Sequence, residues 1–162
     1  MKKPNARMTE CTEEIVRTHG DMLFRICLII LKNKQDAEDA VSETMIKYIE
    51  KNPAFKDKEH EKAWLIRTAK NKSIDILRKR NIYSDANAAE LQKNVSFDCS
   101  ETILSALMSL PEKFRIVLTL YYVEEYPIKI IAQIIQKTPS AVKMRLQKGR
   151  RMLEEAYKKE YM

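Results

Sequence analysis

The chain has 162 residues and a formal net charge of +7, from 30 basic and 23 acidic side chains. Two glycines, five prolines and no sustained alternation of β-branched residues exclude a sheet-built fold and point to an all-helical protein of one or two domains. Cys11, Cys27 and Cys99 are too few and too far apart for a disulfide framework, and no apolar run reaches bilayer-spanning length, so a reduced, cytoplasmic protein without membrane insertion is expected.

The charge is unevenly spread. Residues 1–50 carry 8 basic and 9 acidic side chains, residues 51–100 carry 11 and 7, and residues 101–162 carry 11 and 7. A polyanion suits the middle and the end, and a different partner suits the beginning.

Residues 1–11 read as a frayed leader, and a long helix is expected from about Thr12. Ile15, Val16, His19, Leu23, Ile26, Cys27 and Ile30 recur at helical spacing, and Gly20 interrupts them, for which a close helix crossing would be a reason. His19 has no neighbouring histidine until His60, so it reads as a packed residue and no metal or cofactor site is expected.

Asn33-Lys34-Gln35-Asp36 reads as a break and a capped start. The next helix, to about Glu50, buries Ala37, Ala40, Val41, Thr44 and Tyr48 and shows Asp36, Glu38, Asp39 and Glu43. Those acids cannot face DNA, because like charges repel, but they suit a protein partner.

Asn52-Pro53 ends that helix, and residues 51–60 form a charged loop around Phe55. A helix from about Glu61 to Arg80 packs through Ala63, Ile66, Ala69, Ser73 and Leu77. From Lys62 to Arg80 it has seven basic residues against the single acid Asp75. Trp64 is either a core anchor or a partly exposed surface on which a base stacks.

Residues 81–100 lose the apolar stripe and read as a linker, dividing a domain over 1–80 from one over 101–162, with a short helix within the linker as an option. Ser100 or Thr102 would start the C-terminal domain. Leu104, Leu107 and Leu110 lead to Pro111, after which Phe114, Val117, Leu118, Leu120, Tyr121 and Tyr122 pack the next helix. Ile128, Ile131, Ala132 and Ile135 then share one helical face, Thr138-Pro139-Ser140 caps a second helix, and Val142, Leu146, Gly149 and Leu153 form its inner side. From Lys137 to Arg151 there are six basic residues and no acid. A short helix, a break and a polycationic helix suggest a helix-turn-helix whose second helix sits in a major groove, against the plainer reading of a solvated charged face.

Two stretches together resemble regions two and four of the bacterial RNA polymerase sigma-70 family, in the small two-domain extracytoplasmic-function group. The first is Asp36-Ala37-Glu38-Asp39-Ala40-Val41-Ser42-Glu43-Thr44 with the run from Ala63 to Lys79; the second is Leu110-Pro111-Glu112-Lys113-Phe114-Arg115 with Ile131-Ala132 and Val142 to Leu146. The resemblance implies a non-enzymatic promoter-specificity factor that binds core RNA polymerase and promoter DNA, with an anti-sigma factor as a candidate further partner. It implies polymerase docking by Asp36, Asp39 and Glu43, and −10 recognition by Trp64, Arg67, Lys70, Asn71, Asp75 and Arg78. The loop at 51–60 would accommodate an unstacked base. The −35 element would be met by Ser140, Lys143, Met144, Gln147 and Lys148, with Arg145, Arg150 and Arg151 on phosphates. A stand-alone helix-turn-helix regulator is the alternative reading.

Three positions depart from the family pattern. Gln136 stands where the turn usually has glycine, so it either adopts a left-handed conformation at about 1–2 kcal/mol or the turn takes another shape. Ile130 replaces an acid. Gly149 replaces an alanine, which weakens the helix but permits close packing.

Overall fold

The computed structural model describes residues 6–83 and 103–161, which divide between two compact units, Met1–Ser84 and Asp85–Met162. The expected linker over 81–100 lies outside the described residues apart from its first three positions, as do Cys99, Ser100 and Thr102.

The first unit is a three-helix bundle of α1 (Ala6–Leu31), α2 (Lys34–Lys51) and α3 (Lys58–Tyr83), each packed on the other two. Helix α1 starts at Ala6, ahead of the expected Thr12, so residues 6–11 are helical rather than frayed. Leu23, Ile26, Cys27, Ile30 and Leu31 from α1 and Leu65, Ile66 and Ala69 from α3 are all almost wholly buried, and the two helices pack on each other. Helix α2 contributes Ala37, Ala40, Thr44 and Met45; its two fully buried alanines let the neighbouring backbones approach.

Two hydroxyls in this core are satisfied within their own helices. Thr44 Oγ1 donates to the Ala40 carbonyl at 2.7 Å, and Ser73 Oγ donates to the Ala69 carbonyl at 2.8 Å. Burial pushes the Cys27 thiol up to about 11, so it is an unreactive packing group.

Two expectations for α1 fail. Val16 is 46% exposed, off the buried stripe. Among the described residues no helix crosses closely at Gly20, where an added Cβ would meet only Val16 Cγ1 of its own helix, at 3.6 Å.

Helix α2 opens as expected, with Asn33 Oδ1 accepting from the Asp36 amide at 2.9 Å. It closes at Asn52, left-handed at φ 42°, whose amide returns to the Tyr48 carbonyl. The next helix begins at Lys58, earlier than predicted, because Asp57 Oδ1 accepts from the His60 amide at 2.8 Å. The connection is therefore shorter than the expected 51–60, and α3 runs past Arg80 to Tyr83.

The second unit contains α4 (Ile103–Ser109), α5 (Glu112–Leu118), a π-helical turn over Thr119–Val123, α6 (Ile128–Ile135) and α7 (Pro139–Tyr161). Helices α4, α5 and α6 all pack on α7. Residues from Phe114 to Leu120 are buried without interruption, so α5 is buried at more positions than the expected Phe114, Val117, Leu118 and Leu120. Arg115 lies inside this run at 5% exposure and donates to the carbonyls of Leu110 and Met108 at the end of α4.

The π turn resets the facing of the chain. The Glu124 amide bonds the Thr119 carbonyl at 3.0 Å, five residues back. Tyr122 and Val123 turn outward and are about half exposed, so Tyr122 is not the core residue expected.

Candidate nucleic-acid and partner interfaces

In the second unit, Ile131, Ala132, Ile134 and Ile135 of α6 are buried, and the break follows at once. Gln136 is left-handed at φ 56°, ψ 47°, and its amide returns to the Ala132 carbonyl. The Lys137 amide bonds the same carbonyl at 3.0 Å. Of the two readings open for this turn, the left-handed one is adopted. Thr138 Oγ1 then accepts from the Ala141 amide at 3.1 Å, and Pro139 occupies the first turn of α7.

Val142, Leu146 and Gly149 hold α7 inward. Gly149 fits closely: an added Cβ would meet Leu118 Cγ and Cδ1 at 3.3 Å and Phe114 Cβ at 3.5 Å. The close packing allowed by this glycine is therefore real. The outward side shows Ser140, Lys143, Met144, Gln147, Lys148 and Arg151, with Met144 70% exposed and Arg145 half-buried.

Met144, Arg145, Gln147, Lys148 and Arg151 line one recess of about 500 Å³, together with Lys113 and Phe114 from α5. Lys113 Nζ and Lys148 Nζ lie 5.1 and 5.8 Å from the centre of the Phe114 ring. Four cations and no acid line this recess, which suits a phosphate. Lys113 was not among the expected DNA contacts, because its place beside α7 depends on α5 packing there.

Ser140 and Lys143 do not line the recess. Arg150 leaves it as well, donating to the Tyr122 hydroxyl at 3.0 Å, a bond that raises the arginine's already high pKa. It borders an apolar groove with Leu118, Tyr122, Val123, Leu153 and Tyr157.

In the first unit, α3 places Arg67, Asn71, Asp75 and Arg78 at spacings of four, four and three along one face. Asn71, Asp75 and Arg78 are exposed, Arg67 is half-buried, and Arg78 lies 4.0 Å from Asp75. Lys70 does not join them. It is 7% exposed, four residues after Ile66 and three before Ser73, and so falls on the buried stripe. Its assignment to DNA is corrected on that ground.

Trp64 is half-buried in an aromatic cluster, 5.9 Å edge-to-face from both Tyr48 and Phe55. Tyr48 stacks on Phe55 at 6.2 Å, and Phe55 meets His60 edge-on at 5.4 Å. The Tyr48 hydroxyl donates to Glu61 Oε1 at 2.7 Å; burial, then the Glu61 carboxylate, push its pKa far above the ordinary tyrosine value. Trp64 is thus held within this cluster and remains partly exposed.

The three expected docking acids on α2 differ. Asp39 is exposed. Glu43 is 51% exposed and pairs with Lys72 at 3.2 Å. Asp36 pairs with Arg80 of α3, and each side chain is only 23% exposed. Among the described residues no group of His, Cys, Asp or Glu side chains could hold a metal, and no helix is long and apolar enough to cross a membrane.

Comparison with known proteins matches the model of Sigma-70 region 2 over residues 15–82 and that of Sigma-70 region 4 over residues 100–153. The chain is 29% identical over 159 residues to ECF RNA polymerase sigma factor SigW of Bacillus subtilis (strain 168), covering 86% of this chain and 85% of that one. It is 28% identical over 154 residues to SigM of the same organism, covering 90% and 94%. Among solved structures, it resembles the sigma factor RpoE in complex with the anti-sigma factor NepR from Bartonella quintana, with a TM-score of 0.75 at 21% identity over 90% of this chain and 96% of that one. CnrH in complex with the cytosolic domain of CnrY gives a TM-score of 0.68 at 22% identity, over 91% and 87%.

Proposed function

The chain belongs to the sigma-70 family, in its small extracytoplasmic-function group, and directs RNA polymerase to promoters through their −10 and −35 elements; we propose that its two units divide this work by charge. The second unit takes the −35 duplex. The observation that carries this is the face of α7, where Lys143, Met144, Gln147, Lys148 and Arg151 stand outward from a helix-turn-helix. Lysine and arginine hold phosphates and so fix the register, and Met144 and Gln147 reach base edges. Lys113 adds a phosphate contact from α5.

The first unit takes the −10 region. Arg67, Asn71, Asp75 and Arg78 line the DNA side of α3, and the exposed side of Trp64 receives a base displaced from the stack. Unstacking costs a few kcal/mol per base, so capture shifts the closed complex toward the open one. Asp39 and Glu43 on α2 meet a basic surface of the polymerase. No bond is made or broken by the chain itself; the polymerase carries the chemistry, and work beside it calls for a cytoplasmic protein. An anti-sigma factor, as in the complex of RpoE with NepR, would cover these same surfaces.

The test is transcription from duplex promoter fragments by core RNA polymerase with and without the protein. Promoter-dependent transcripts that require the chain are expected. Sequence-specific duplex binding without polymerase, unchanged when Asp39 and Glu43 are reversed to lysine, would instead identify a stand-alone regulator.

A further inference from the structure

Helices α2 and α3 form an antiparallel hairpin tied at three levels. Nearest the connecting loop, Tyr48 meets Trp64 and Glu61. Further along, Glu43 meets Lys72. At the open end, Asp36 meets Arg80. As the α2 position falls from 48 to 36, its α3 partner rises from 61 to 80, the register of an antiparallel pair.

The ties differ in strength. Glu43 and Lys72 are 51% and 32% exposed, and water and salt screen such a pair. Asp36 and Arg80 are each 23% exposed, so removing one leaves the other poorly solvated. Asp36 is also pinned at the helix start, where its amide donates to Asn33 Oδ1. The open end lies about 18 Å along α2 from the aromatic cluster, at the usual helical rise, too far for the cluster to fix it.

We propose that Arg80 is a positioning residue that acts through Asp36: the pair closes the open end of the α2–α3 hairpin, so that docking α2 on the polymerase sets where α3 meets the −10 DNA. Asp36 is an internal tie, and the acid offered to the polymerase comes from Asp39 and Glu43. This rests on the reading of α2 and α3 given above.

The test compares full-length D36N, R80Q and D36N/R80Q chains. Two quantities are read: affinity for core polymerase, and open-complex yield at saturating polymerase on a duplex promoter and on one premelted at −10. Each single variant should lower duplex opening roughly three- to tenfold, with core affinity within about twofold, and the double variant should be no worse than the weaker single. The premelted promoter should recover most of the loss. A D36N chain that binds core polymerase about tenfold more weakly while R80Q binds normally overturns the proposal, because Asp36 would then face the polymerase. Multiplying losses in the double variant overturn it too. Should the neutralised chains fail to fold, the charge-swapped D36R/R80D chain is read instead: duplex opening near wild type supports the tie, and opening lost about tenfold or more overturns it. A wild-type chain that neither binds core polymerase nor initiates refutes the underlying reading instead.

Discussion

Gln136 shows how a single residue can oppose its own backbone and still hold a motif together. Among the described residues, every left-handed position (Lys32, Asn52, Glu125, Gln136) is taken by a side chain other than glycine. Gln136→Gly should relieve about 1–2 kcal/mol of left-handed cost, less the entropy glycine adds to the unfolded chain, for a net gain of about 0.5–1 kcal/mol. Slower amide exchange in α6 and α7 of the full-length chain would register it. Arg115 is the opposite case, a charge spent inside the fold. Burial lowers its pKa from the ordinary arginine value, yet its guanidinium holds two carbonyls at the end of α4. Arg115→Met keeps the packing volume but removes those donors, and should destabilise the second unit by about 1–3 kcal/mol in thermal unfolding.

At the scale of elements, the caps decide where the working helices begin. Thr138 holds the first turn of α7 by a 3.1 Å bond from the Ala141 amide. Thr138→Ala should cost about 0.5–2 kcal/mol and weaken promoter binding, whereas Thr138→Ser should restore both; a filter-binding titration of the holoenzyme separates the two. On α1, burial and then Lys62 hold the His19 imidazole below its usual pKa. The folded chain therefore binds this proton less readily than the unfolded chain. Its contribution to stability is complete above the ordinary histidine value near pH 6.5 and is lost as the pH falls through the lowered one. His19→Gln should flatten the decline in melting temperature below about pH 6.5.

At the scale of the whole chain, charge separates the partners. Helix α2 shows acid, while α3 and α7 show cations, and the proposed function assigns polymerase docking and DNA binding to different elements on that ground. Each phosphate neutralised on duplex DNA contributes nearly one unit to the slope of log affinity against log salt. Replacing Lys143, Lys148 and Arg151 together with glutamine should reduce that slope by roughly 2–3 units, on promoter and random duplex alike. Holoenzyme binding measured across a salt series tests this. An unchanged slope would move the −35 contacts off this face of α7.

The helical class, the helix-turn-helix and the caps at Asn33 and Thr138 were legible from residue order, because periodicity and capping are local properties of a few neighbouring residues. The family pattern added the two regions and their order. Tertiary structure alone decided which charges remain outside. Lys70 and Arg115 look like surface cations in sequence, but both are buried because they fall on stripes packed against other helices. Arg150 turns to Tyr122, which only the π turn presents, and Lys113 joins the recess of α7 from another helix. Asp36 reads as a surface acid until Arg80 is placed across the hairpin from it. A side chain's electrostatic role depends on burial and on partners distant in the chain, and both are set only when the helices pack.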